Sequence, residues 1–373
     1  MTATPAYSPA ALAARRVSLR RFCGVAGIVA GVLAILIGVW QPASFFRAYL
    51  FAALACLNPV AGCLLLTFIH RMTGGSWAQT LGPALDAGVR MVPWALLFCL
   101  PLLFGLRDLY PWAAPDLLAP SARALLAKHP LYFARSAFFL RAGCYALSFL
   151  VLRGLARRGR GVPWTGPAGM ILFVITVYLL SVDFVLSLEP GWVSTGFPLV
   201  FMAGEGLSAL AFCIAVTIFG GAPEGREPGL PGNWKKIGNL LLGMLMFWAY
   251  TAYAQFLITW AGNEPGPAAW YVHRNAGGWH YLLIALAVFH LLVPVVLLLS
   301  NRTKRRTRFF GGLALGVLFC QTVYLYTLIL PTFRTAGIGF HGLDALLPLA
   351  LDGVWLWCFF GLAASTREGL VYD

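Results

Sequence analysis

Charge is what this sequence has least of. Only 11% of its 373 residues are Asp, Glu, Lys or Arg, where a soluble domain carries about a quarter. Acids are scarcer still, 13 Asp and Glu against 27 Lys and Arg. Cofactor-binding cysteine patterns are missing as well. The eight cysteines, at 23, 56, 63, 99, 144, 213, 320 and 358, include no CxxC and no CxxCH. That argues against iron–sulfur, zinc or c-type haem ligation and favours small apolar packing roles. Long hydrophilic stretches are absent too, so any soluble redox or nucleotide-binding module belongs to another chain.

Hydrophobic residues fill the space instead, at 60%, with a mean hydropathy of +0.78. The reading is an all-α integral membrane protein with ten transmembrane helices, near 22–40, 46–69, 84–106, 131–153, 165–188, 195–219, 237–260, 278–300, 307–330 and 344–364. Each can cross a hydrocarbon core of about 30 Å at about 1.5 Å per residue. The first has only a weak cleavage site after Trp40 and is expected to be retained. Residues 1–21 read as a basic cytoplasmic arm, 22–364 as one transmembrane domain and 365–373 as a cytoplasmic tail. Residues 220–236, GGAPEGREPGLPGNWKK, form a turn-rich linker. Spans two to five and six to nine are expected to form two four-helix bundles, with the first and tenth flanking them.

The basic excess sorts by side. With the N-terminus inside, eighteen Lys and Arg fall on inner segments and five on outer ones (Arg107, Arg123, Lys128, Arg274 and Arg334). This favours both termini in the cytoplasm. Topology therefore accounts for the pI of about 9.7 better than nucleic acid does, and contact with anionic membrane lipids follows from it.

Ionisable groups within spans need a reason, because each costs about 2.5–3.5 kcal/mol at a helix centre. Asp86 and Arg90 are four apart, acid first, and share a helix face. They are either a self-neutralising structural pair or the mouth of a proton path. Arg135 and Arg141 fall on the fourth span; Arg135 can snorkel, and Arg141 has Asp183 as a candidate partner. Asp183 shares a face with Thr176 and Ser187, which suits a file of waters or a helix–helix hydrogen bond. Glu189, just before Pro190-Gly191-Trp192, reaches the outer water boundary. Glu205 lies between Gly204 and Gly206, where another backbone can come close; it is a proton-exchanging group or a neutral acid in one hydrogen bond. His290 is the one deep histidine, so bis-histidine haem is not expected; it is a structural histidine or a proton relay. His70 ends the second span and, with Asp86, Arg90, Asp183, Glu189, Glu205 and His290, is a proton-transfer candidate; Asp352 is the deeper acid of the tenth, counted with Arg135 and Arg141 as an ion-pair candidate. No residue set reads as a metal site. No broken-helix pair of the transporter kind is evident.

Four stretches form a pattern: HRMTGGSWAQTLGPALDAGVRMVPWALLFCLPLLFGLRDLYPW (70–112), HPLYFARSAFFLRAGCY (129–145), SLEPGWVST (187–195), and GNLLLGMLMFWAYTAYAQFLITWAGN (238–263) continuing through AGGWHYLLIALAVFHLLVPVVLLLS (276–300). Together, over about residues 45–310, they resemble the smaller polytopic subunit of bacterial alternative complex III, its quinone-binding subunit 2. That subunit is related to the NrfD and polysulfide-reductase membrane anchors. The resemblance implies a ten-helix, two-bundle subunit of a quinol:cytochrome c or quinol:oxidase complex in the bacterial inner membrane. It implies proton half-channels here and the main quinol site on a sister NrfD-like subunit. Haem and iron–sulfur groups would lie on a multihaem cytochrome c subunit and an iron–sulfur subunit. The matching positions are His70, Asp86, Arg90, Arg135, Glu189 and His290. Gly191 stands where the family usually has histidine, and Trp234-Lys235-Lys236 where it often has an acidic residue or histidine. The chain would bind no redox cofactor of its own, and quinol or quinone is the one small ligand left open. A proton-coupled secondary transporter and a purely structural scaffold are the competing readings.

Overall fold

The computed structural model describes residues 9–118, 120–158, 162–220, 231–263, 265–334 and 337–364. The expected tail at 365–373, the first eight residues of the arm and positions 221–230 of the linker lie outside the described residues. Every regular element among the described residues is helical. They are α1 (Pro9–Trp40), α2 (Pro42–Thr73), α3 (Trp77–Arg90), α4 (Val92–Cys99), α5 (Leu106–Leu109), α6 (Pro120–Ala127), α7 (Arg135–Arg157), α8 (Thr165–Phe184), α9 (Phe197–Phe219), α10 (Pro231–Gly262), α11 (Pro265–Asn275), α12 (Trp279–Leu286), α13 (Val293–Leu299), α14 (Asn301–Arg305), α15 (Thr307–Ile329) and α16 (Leu343–Ala364). A π-helical segment, Ala287–Leu292, joins α12 to α13. Among the described residues, nine helices are long and apolar enough to cross a membrane.

The third expected span is not one straight helix. α3 and the segment Val92–Leu103 meet at a bend of 42°. Pro93 explains it: its ring clashes with the carbonyl four residues back, and it has no N–H to give. The expectation of no broken helix is thereby corrected. The basic arm differs too. From Pro9 onward it is already helical and continuous with the first span. Arg16 donates to the Gly220 carbonyl and Arg20 to that of Trp357, whose ring it also covers.

α2 and α9 form the centre, with 83% and 89% of their apolar stretches buried inside the protein. Small residues permit this. A Cβ on Gly62 would lie 1.9 Å from the Glu205 carbonyl oxygen, so the two backbones touch. Around α2 pack α3, α4, α7 and α8; around α9 pack α10 and α15, with α12 and α13 alongside. α1 lies against α16 through facing glycines: a Cβ on Gly353 would sit 2.7 Å from the Gly27 Cα.

The connections between helices gather at two ends. At the basic end Arg71 donates to the carbonyls of Leu155, Ala156 and Arg158 and to Thr165, Lys236 to Ser76, and Lys304 to Asn239. Burial, helped by nearby Lys235, holds the Lys304 ammonium below its usual range. At the opposite end the segment after α5 tucks Tyr110 and Trp112 against Phe138.

Candidate functional site

The ionisable residues separate into four settings. The first is near the basic end. Arg90 Nε reaches Asp86 Oδ2 at 2.9 Å, one turn before the bend, and Asp86 is buried. Arg153 and Arg157 on α7 lie within electrostatic reach of the same carboxylate. One acid thus faces three guanidinium groups. His70 belongs to the neighbouring turn: its Nδ1 is 3.1 Å from the Gly74 carbonyl oxygen and its ring meets the edge of Trp77. Gly74 and Gly75 have φ of 73° and 112°, a backbone that glycine alone adopts without strain. The HRMTGG stretch is therefore a helix stop closed by its histidine.

The second setting is Asp183. Tyr132 donates to Oδ1 at 2.6 Å, and Arg141 Nε and Tyr145 donate to Oδ2 at 2.7 and 2.6 Å. Arg141 also lies over the Tyr132 ring. The expected Arg141–Asp183 pair forms. The expected hydroxyl stripe does not, because Ser187 donates to the Asp183 main-chain carbonyl instead. Two phenols and a guanidinium leave this carboxylate sealed and satisfied. Burial and the bond to Asp183 hold the Tyr132 hydroxyl well above its usual range.

The third is a clasp at the end opposite the basic loops. Glu189 Oε1 accepts from Arg274 Nη1 at 2.9 Å and from Thr332 at 2.6 Å. Arg274 also donates to the carbonyls of Trp270 and Leu328. Its guanidinium lies 3.7 Å from the Trp270 ring, and Trp270 stacks on Trp192 at 3.9 Å. Burial brings Arg274 down to about 10 against the pull of Glu189, so it remains a cation at neutral pH. Glu189 thereby ties SLEPGW to α11 and the end of α15.

The fourth setting lies deep within α9, α10, the π-segment and α15. His290 is fully buried, and its ring centroid is 4.2 Å from that of Trp248. Trp248 packs on Tyr324 at 4.9 Å and borders Gly204, as does Gln321. Both His290 nitrogens, Trp248 Nε1 and Gln321 Oε1 have no hydrogen-bond partner among the described residues, and the same holds for both carboxyl oxygens of Glu205, fully buried elsewhere on α9. Pro294 accounts for the π-segment: its ring bars the carbonyl of His290 from the α-helical ladder, and the turn widens there. Tyr324 is within electrostatic reach of Arg274, so this polar group continues toward the Glu189 clasp.

Two ion-pair expectations need correction. Arg135 snorkels to the Ala113 carbonyl and pairs with no acid among the described residues. Asp352 takes the Cys56 thiol at 3.1 Å, with no cation among the described residues at ion-pair distance. Asp183, Glu205 and His290, the deep ionisable groups marked by the sequence, have no direct contact with one another. Arg274, Tyr132, Tyr145, Trp248 and Gln321 went unassigned from sequence. Gln321 is an amide inside the apolar run VLFCQTVYLY, which could have been noticed. Arg274 is one loop cation among several and offered no such sign. Among the described residues, no three His, Cys, Asp or Glu side chains converge as a metal site requires.

Helices of this length and hydropathy, with charges paired inside them, define a multi-pass, all-α membrane protein. Compared with known proteins, the chain matches no family model and no curated protein.

Proposed function

We propose that this chain is the smaller polytopic membrane subunit of a quinol-oxidising respiratory complex of the bacterial inner membrane, similar to quinone-binding subunit 2 of alternative complex III, and that it supports proton transfer. In this reading it has ten spans, the bent α3–α4 pair being the third, arranged as two four-helix bundles with both termini cytoplasmic. Quinol oxidation, haem and iron–sulfur chemistry belong to partner subunits.

The observation that carries the reading is the set of buried polar groups with no hydrogen-bond partner among the described residues. His290, Gln321, Trp248 Nε1 and Glu205 are costly to bury without partners. Their tolerance is explained if they serve hydrated proton transfer, with Tyr324 and Arg274 leading from His290 and Gln321 toward the outer face. Asp86–Arg90 is the matching acidic group near the cytoplasmic face. Asp183 leaves the path and becomes structural, its lone pairs taken by three donors.

The test is coupling in the purified complex. Glu205→Gln or His290→Ala is expected to leave quinol turnover and subunit composition unchanged and to lower protons moved per electron. Unaltered stoichiometry in both variants overturns the reading. The transporter alternative draws on the bent α3–α4 segment, since interrupted helices line substrate sites in transporters. Proton-coupled uptake by the chain alone in liposomes would decide for it, whereas copurification with haem-bearing and iron–sulfur subunits decides against.

A further inference from the structure

A groove of about 810 Å³ runs along the outside of the protein between α12–α13 and α15. Its walls are apolar: Phe289, Phe309 and Phe319 border it and are half or more exposed. Gly312 and Gly316 form part of its floor, where a Cβ would meet nothing within 4 Å. One charged residue lines it, Arg308, at the basic end of α15. Arg308 closes the run NRTKRRTR, 301–308, and no acid occurs between Glu264 and Asp344. None of the cations in that run has an ion-pair partner among the described residues. The protein thus offers an apolar slot with an unneutralised guanidinium at one end.

We infer that this groove is a binding site for an anionic phospholipid, with acyl chains along Phe289, Gly316 and Phe319 and the phosphate at Arg308. Charge selects the occupant. A membrane helix from a partner or an isoprenoid tail would fill the slot equally well but would leave Arg308 without a counter-charge. A phosphate supplies one and accepts the guanidinium's paired N–H groups in the geometry arginine favours. The cavity falls in the range of small-ligand sites. Binding here is independent of any electron-transfer role and holds whether or not the proton reading does.

The test uses the full chain in nanodiscs and native mass spectrometry, with phosphatidylglycerol and phosphatidylcholine of matched acyl chains as probes. The unaltered chain is expected to retain phosphatidylglycerol through detergent exchange and to lose phosphatidylcholine. Arg308→Gln should weaken retention about fivefold, the worth of one arginine at an anionic surface. Gly316→Leu fills the groove where there is open space, so the chain should fold and retention should fall. Equal retention of both lipids, or of phosphatidylglycerol in either variant, overturns the site. A photo-crosslinker at Phe309 that captures a protein segment rather than lipid in native membranes overturns it too.

Discussion

A carboxylate buried in a membrane survives in one of two ways, and this protein shows both. Asp183 is saturated by Arg141, Tyr132 and Tyr145. Removing one partner of a buried pair costs about 3–5 kcal/mol, because the other charge is stranded. Asp183→Asn is therefore expected to lower the unfolding temperature in detergent strongly. Tyr145→Phe, which removes one bond to a charged group, should cost about 1.5–3 kcal/mol. Differential scanning fluorimetry checks both; a relay residue would instead spare stability and abolish coupling. Glu205 and His290 belong to the other kind, with no hydrogen-bond partner among the described residues; Glu205→Gln strands no partner and should change stability far less than Asp183→Asn, whereas His290→Ala opens a cavity beside Trp248 and should cost some stability. Sequence alone marked Asp183, Glu205 and His290 as residues needing a reason, because each sits in an apolar run. It did not separate the satisfied one from the others. That difference depends on Tyr132 and Tyr145, ordinary aromatics in sequence that the fold brings to the carboxylate.

At the scale of helices, the spans were legible because length and hydropathy suffice to find them. Their interruptions were harder to read. Pro93 and Pro294 stand among several span prolines, yet one bends its helix by 42° and the other accompanies a π-turn around His290. Which proline does what depends on the packing beside it. The α2–α9 contact is the most demanding junction. Gly62→Leu would force a side chain into the Glu205 carbonyl and should abolish folded protein by fluorescence-detected size-exclusion chromatography. Gly243→Leu on α10, where a Cβ meets open space, should leave the elution profile unchanged. The clasp at Arg274 acts between elements as well. Lysine cannot make its forked bonds to Glu189, Leu328 and Thr332 together. Arg274→Lys should expose the 189–196 segment to protease at concentrations that leave the unaltered chain intact.

For the whole molecule, the asymmetry of charge predicts its placement. Cysteine introduced at Arg305 should react with an impermeant maleimide only after cells are opened, and cysteine at Gly339 should react on intact cells. The reverse pattern would invert the proposed orientation. The glycine contact between α1 and α16 has a consequence for biogenesis. α1 is made well before α16, so it finds this mate only when that later helix emerges. Until then it must wait in lipid with Gly27 bare, held by few other neighbours. A chain stopped before Leu343 would enter the bilayer yet leave α1 without its partner, and the cell's proteolytic surveillance would meet it in that state.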